Sequence, residues 1–349
     1  MRSPYQDLPP SRYWRSGVSQ AHVLDIPDLY VKKFAIGPAD RIATAGSCVA
    51  QHISRNMRAR GFSVIDAEPA PEGLDEATAQ AHGYGQYSAR YGNVYTSRQL
   101  IQLAREALGQ FTPANAVWEK DGRFYDALRP SVEPDGLRSA AHVALHRRQH
   151  LARVAEVLRS ASVFVFTLGL TETWIDRASG TVYPTAPGTI AGSHDPAVTA
   201  FHNLTTAEVL EDMLAFRDLM RGINPAIRFL LTVSPVPLTA TAASDHVLVA
   251  TTYSKSVLRA VAGELQQRFD DVDYFPSYEI IASPPARGFF YDPNLRTVNK
   301  AGVAHVMRTF FAAHGTGASP PTGPTQKPAE EAEEDAVVCE EALLEAFAR

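Results

Sequence analysis

Three nearly unbroken apolar runs constrain this chain more than any other feature: Arg41-Ile-Ala-Thr-Ala45, Ser162-Val-Phe-Val-Phe-Thr-Leu168 and Ile227-Arg-Phe-Leu-Leu-Thr-Val233. None alternates apolar with polar residues, so each reads as a strand covered on both faces. Between them lie helical patterns. Ala50–Arg60 carries Ile53, Met57 and the stem of Arg60 on one face and stops at Gly61. Leu151, Val154, Ala155 and Leu158 mark a helix after His146. Val209–Gly222, His246–Phe269 and Lys300–Ala313 mark three more, and Phe62–Asp66 and Val272–Phe275 read as shorter strands. Strand and helix in alternation predict a parallel sheet with helices on both faces. In such sheets a site forms at the carboxyl ends of the strands. Those ends carry Gly46-Ser47-Cys48, Gly169-Leu170-Thr171-Glu172 and Ser234-Pro235.

The rest of the chain reads as additions to that frame. Residues 1–40 are rich in Pro and aromatics and predict an arm packed on a domain spanning 41–314. Residues 67–145 predict an inserted elaboration. It holds the stretch Gly83–Tyr95, a helix Ser97–Leu108, a hairpin from Trp118 to Asp126 and a loop at Pro130–Gly136. A second hairpin is expected over Trp174–Tyr183, turning at Ala178-Ser-Gly180. Residues 315–349 predict a flexible acidic tail, within which Val337, Leu343, Leu344 and Phe347 have the spacing of a short amphipathic helix.

Composition excludes several classes. The longest apolar run is about nine residues, and a membrane span needs about 20. The first residues, MRSPYQDLPPSRYWRS, contain no apolar core of a secretory signal. The net charge is −5 with no basic block, which argues against nucleic acid as a partner. Eight acidic and two basic residues put −6 on the tail and leave Met1–His314 at +1. The two cysteines, Cys48 and Cys339, make no disulfide framework and no metal site, and fit a reducing cytoplasm. No phosphate loop and no Gly-x-Gly-x-x-Gly follows a strand, so no nucleotide cofactor is expected. Oligomeric state is not legible.

Gly46-Ser47-Cys48 is the informative turn. A residue between strand and helix sits at the helix amino end, where unpaired N–H groups favour negative charge. A thiol there is acidified, and a hydroxyl there can attack a carbonyl while nearby N–H groups receive the oxyanion. The plainer alternative makes Ser47 a helix cap and Cys48 a small buried apolar group.

Gly46-Ser-Cys-Val-Ala50 resembles the Gly-Ser-Cys-Phe-Ala motif that names the GSCFA family of bacterial proteins, with Val49 in place of Phe. Phe166-Thr-Leu-Gly-Leu-Thr-Glu172, Leu231-Thr-Val-Ser-Pro-Val236, Tyr253-Ser-Lys-Ser256 and Tyr274-Phe-Pro-Ser-Tyr-Glu-Ile280 resemble the same family in the same order. The family is similar to the SGNH (GDSL-like) hydrolases. That resemblance implies a three-layer α/β/α fold, an SGNH-hydrolase/flavodoxin-like parallel sheet with an inserted elaboration. It also implies ester hydrolysis or acyl transfer, often on acetylated glycans.

Carried over by position, Cys48 stands where those enzymes keep the nucleophilic Ser; carried over by residue type, Ser47 does. Gly169 and Thr171 stand in the oxyanion block, with Thr171 for its Asn. Gly92 and Asn93 fall near the region of the second-block Gly, and equally read as a left-handed turn. Asn294-Leu-Arg-Thr297 occupies the place of the Asp-x-x-His element and has neither acid nor base. His246, at the start of a long helix after Ser234-Pro235, is the first candidate for a substitute base, followed by His52, His194 and His202. Glu172 is a fallback through a burial-raised pKa, Trp174 a sugar-stacking surface, and Lys255 a surface charge or a partner of Glu172. The expected activity is that of a cofactor-independent acyl ester hydrolase or O-acyltransferase on a small-molecule or glycan substrate. The alternative is a glycan-binding protein that has lost the Asp-x-x-His element.

Overall fold

A computed structural model describes residues 2–315 and 340–348. Cys339, and most of the tail read as flexible, lie outside the described residues.

The order of elements is β1 (Ile42–Gly46), α1 (Val49–Ala59), α2 (Glu76–Ala81), α3 (Ser97–Ala107), β2 (Val117–Lys120) and β3 (Arg123–Asp126). There follow α4 (Ala140–Ser160), β4 (Val163–Leu168), β5 (Glu172–Asp176), β6 (Val182–Tyr183) and β7 (Thr199–Asn203). The last are α5 (Thr206–Ile223), β8 (Arg228–Val233), α6 (Val247–Arg268), β9 (Val272–Tyr274), α7 (Ser277–Ala282) and α8 (Lys300–His314). The main sheet has the order β1-β4-β8-β9, and every pair is parallel.

The apolar runs do what continuous hydrophobicity dictates: they feed two cores from opposite faces. Ala43, Ala45, Phe164, Phe166, Leu168, Phe229 and Leu231 pack with Leu100 of α3, Val154 of α4, Phe216 of α5 and Leu258 of α6. Ile42, Val163, Val165 and Leu230 pack with Ile53 and Met57 of α1, Ile280 of α7 and Phe310 of α8. This is the three-layer α/β/α arrangement.

The strand expected over Phe62–Asp66 is not formed. It shrinks to one parallel bridge, Val64 beside Ile42, with Ile42 N–H donating to Ser63 O at 2.9 Å and Ile65 N–H to Ile42 O at 2.8 Å. The chain then leaves because the Gly/Tyr-rich stretch takes over the edge of β1. Thr44 N–H donates to Ser88 Oγ at 2.9 Å, Val94 N–H to Gly46 O at 2.9 Å, and Tyr91 OH to Thr44 O. An edge whose polar groups are satisfied by loop atoms needs no further strand. With that bridge counted as its second strand, the sheet has the flavodoxin-like order 2-1-3-4-5, and its topological switch point lies between β1 and β4.

The hairpin over Trp174–Tyr183 forms, Trp174 pairing with Tyr183, and gains a third antiparallel strand, β7, from a segment with no strand-like alternation. The elaboration is pinned by buried charge. Asp126 receives Arg129 Nε at 2.8 Å and Arg147 Nη1 at 2.9 Å, Arg147 also pairs with Glu106, and His150 Nδ1 meets Glu68 Oε2 at 2.7 Å. The arm is pinned by His314, whose Nδ1 accepts from Ile36 N–H at 3.1 Å while Nε2 meets Tyr30 OH at 3.0 Å. Tyr30 in turn donates to Asp273 Oδ2 at 2.9 Å.

Burial, with Arg129 nearby, pushes His150 down to about 4, and burial with Lys32 does the same to His314. The unfolded chain takes up these protons near 6.5, the folded chain only near 4. Stability is therefore complete above pH 6.5 and lost as pH falls through that window, by about 3 kcal/mol per histidine at its foot. Thermal melting followed from pH 8 to pH 4 should be flat to 6.5 and then fall, and His314→Gln should show a smaller fall.

Candidate active site

The site is built where two strand ends are forced together. Gly46 lies in register with Thr167 of β4. A Cβ on Gly46 would stand 2.6 Å from Thr167 O, and its φ of +144° belongs to glycine. Beyond it, a Cβ on Gly169 would lie 2.9 Å from Ser47 Cβ and 3.1 Å from Tyr95 O. Two missing side chains thus let the ends of β1 and β4 touch at Ser47.

Ser47 is 3% exposed. Its N–H donates to Thr167 O at 3.3 Å, and its carbonyl accepts from Ala50 N–H at 2.8 Å and Tyr87 OH at 3.1 Å. Its hydroxyl is buried and has no hydrogen-bond partner among the described residues. Cys48 follows as the residue before the first turn of α1, with φ −50° and ψ −30°, and is buried. The backbone reading of the turn therefore holds, but Ser47 is not a helix cap: its hydroxyl bonds no N–H.

Other expected members are placed differently. Thr171 is not an oxyanion donor: its hydroxyl donates to Asn203 Oδ1 at 2.6 Å, and its N–H to Ser254 Oγ at 3.1 Å. The N–H groups of Gly169 and Leu170 both go to Tyr95 O, at 3.1 and 3.0 Å. Gly169 serves the site as a wall. Gly92, with φ +66°, is the left-handed turn. Asn93 is a neighbour of the Gly46–Cys48 turn: its Oδ1 accepts from Tyr87 OH at 2.5 Å and Gln51 Nε2 at 3.2 Å, and Tyr87 touches Ser47.

No side chain among the described residues hydrogen-bonds the Ser47 hydroxyl; His52 lies on α1, and the other expected bases are engaged elsewhere. His246 is exposed, and its Nδ1 caps α6 by accepting Leu248 N–H at 3.2 Å. His194 Nδ1 bonds Thr199 Oγ1 at 2.8 Å, and His202 Nε2 bonds Glu208 at 2.7 Å. Glu172 starts β5 and accepts from Thr241 Oγ1 at 2.6 Å; burial pushes its carboxyl up. It faces a cavity, not Ser47's hydroxyl. The Asn294–Thr297 segment is a turn closed on itself, with Asn294 Oδ1 accepting from both Arg296 and Thr297 N–H at 2.9 Å.

That cavity has a volume of about 580 Å³. Leu170, adjoining Gly169, forms part of its wall with Glu172, Trp174, Leu238 and Thr241. His194 stands edge-on to Trp174 at 5.0 Å between ring centres. Leu344 and Phe347, from a short helix at Glu340–Phe347, also line it. Leu344 is half-buried there.

Lys255 is the largest departure. It is 2% exposed, not a surface charge, and its Nζ donates to Gly169 O at 2.7 Å. Helical spacing carries the signal: Lys255 stands three residues before Leu258 and seven before Ala262, on the inward face of α6. Tyr87 is not legible in the sequence, because only folding brings it to Ser47.

The model of the GSCFA family matches residues 41–310. The chain belongs to the GSCFA family. Among solved structures it is similar to a mutant of an acetyl esterase with acetate ion, at 12% identity and a TM-score of 0.26, covering 60% of this chain and 85% of that one. That likeness is too remote to add to the topology. No curated protein matches. For this GSCFA protein, no helix among the described residues is long and apolar enough to cross a membrane.

The contact at Gly169 gives a direct test. Gly169→Ala should destabilise by about 1–3 kcal/mol, because Ser47 must yield. Gly222→Ala, in α5 with open space around it, should be neutral or stabilise by about 0.5–1 kcal/mol. Urea melts of the two variants check this.

Proposed function

We propose that this protein is an SGNH-like acyl ester hydrolase or acyltransferase whose nucleophile is the Cys48 thiolate, acting on acylated, especially acetylated, glycans or glycan precursors. The observation that carries the reading is the place of Cys48: the amino end of α1, at the switch point of the sheet. A serine in this fold needs a base to take its proton. A thiol at a helix amino end ionises more easily than a serine hydroxyl and depends less on a general base. The missing Asp-x-x-His element is then a consequence of the nucleophile, not a lesion.

The thiolate adds to the ester carbonyl, and the positive end of the α1 dipole stabilises the oxyanion. Collapse forms a thioester and expels the alcohol, which leaves with a proton from solvent. Water, or a second sugar hydroxyl, then attacks the thioester, so that the acyl group is released as acid or transferred and the thiolate returns. Trp174 offers its face to a sugar ring, and Glu172 accepts its hydroxyls.

Iodoacetamide at neutral pH should alkylate Cys48 ahead of Cys339, read by intact mass. Cys48→Ala should lower hydrolysis of a nitrophenyl acetate by roughly 10³-fold or more. Fluorophosphonate labelling lost in Ser47→Ala would instead make Ser47 the nucleophile. Inertness to both reagents, with thermal stabilisation by an acetylated sugar and no product, would make this a binding protein. Trp174→Ala should raise KM for acetylated sugars about tenfold with little change in kcat, because stacking is worth about 1 kcal/mol.

A further inference from the structure

Lys255 is a charge with no place in the chemistry above. It is among the largest fully buried side chains, yet burying an ammonium costs several kcal/mol unless the interaction repays it. Tying α6 to the end of β4 does not require that charge. The preceding residue, Ser254, makes the same kind of link with a neutral hydroxyl, accepting Thr171 N–H at 3.1 Å. What distinguishes Lys255 is its target. Its Nζ sits on Gly169 O at 2.7 Å, and Gly169 is the residue whose opposite side closes on Ser47 Cβ. The N–H of that same peptide, on Leu170, is held by Tyr95 O at 3.0 Å, so the peptide is fixed at both ends.

From this we infer that Lys255 is a positioning residue of the nucleophile turn: its ammonium fixes the Gly169 wall and supplies the positive field that favours the anion at Gly46–Cys48. The inference rests on the acyl-transfer reading and deepens it. A positive charge held beside the turn favours the ionised form of an acid there and lowers its pKa. It also remains in place when the charge moves from thiolate to oxyanion, so it costs no reorganisation during the reaction. Other titratable groups face the same junction. Tyr87 and Tyr95 approach from the Gly83–Tyr95 stretch and His52 lies on α1, while Arg259, Glu264 and Tyr278 share a cleft with Lys255. Lys255 is the cation placed on the Gly169 carbonyl itself.

The test follows Cys48 alkylation by iodoacetamide against pH in full-length protein carrying Cys339→Ala. Lys255→Met and Lys255→Gln should move the midpoint of the profile up by about one unit or more and slow alkylation at pH 7 about tenfold. Lys255→Arg, which keeps the charge, should stay near the parent profile, and so should Ser254→Ala, which removes only the neutral link. Lys255→Gln carries the test if Lys255→Met does not fold. A folded Lys255→Gln with the parent midpoint overturns the inference while leaving the acyl-transfer reading intact, and an equal shift in Ser254→Ala overturns it by showing a structural role. A parent protein in which neither Cys48 nor Ser47 can be labelled at any pH overturns the acyl-transfer reading, and the assignment of Lys255 with it.

Discussion

Everything at this site depends on the closeness of two strand ends. Gly46 and Gly169 lack side chains where β1 and β4 converge, and a single methyl at either would collide with Thr167 or Ser47. That approach puts Ser47 under the end of β4 and starts α1 at Cys48. It also aims the amino end of a helix of 11 residues at the crevice where the sheet reverses direction. The cost is a buried hydroxyl on Ser47 without a partner. Such a group weakens a fold by about 1–3 kcal/mol, which marks the turn as retained for something other than stability.

The elaboration after α1 is part of the same construction. Its Gly/Tyr-rich stretch replaces the expected second strand, satisfies the free edge of β1 and delivers Tyr87 and Asn93 beneath the turn. It also supplies Tyr95 O, which holds the two N–H groups after β4. The buried Asp126–Arg129–Arg147 cluster then locks this insertion onto α4. Removing one partner from such a cluster leaves a charge stranded, so support for the turn is carried by electrostatics as well as packing.

The histidines show how little position along the chain says about what a side chain bonds. His246 follows the right strand end and still spends its ring on capping α6, exposed to solvent. Asn294 and Thr297, standing where an acid and a base would be, close a turn on each other. Loss of the Asp-x-x-His element weighs less on a thiol than on a hydroxyl, because a thiol ionises more easily.

The sequence by itself determined the parallel sheet, its helices and the exceptional turn. Continuous apolar strands bury both faces, and a glycine followed by small polar residues at a strand end leaves little else to build. It also placed Trp174 and Glu172 near one another through a local hairpin. Tertiary structure alone decided which polar groups meet. Tyr87 and Asn93 come to Ser47 from about forty residues away, and Lys255 reaches Gly169 from 86 residues away. The Phe62–Asp66 strand dissolved because loop atoms satisfied β1 first. Local pattern fixes elements because it acts over one turn or one pleat. Hydrogen-bond partners of buried side chains are chosen only when the layers close, and that choice leaves no period in the sequence.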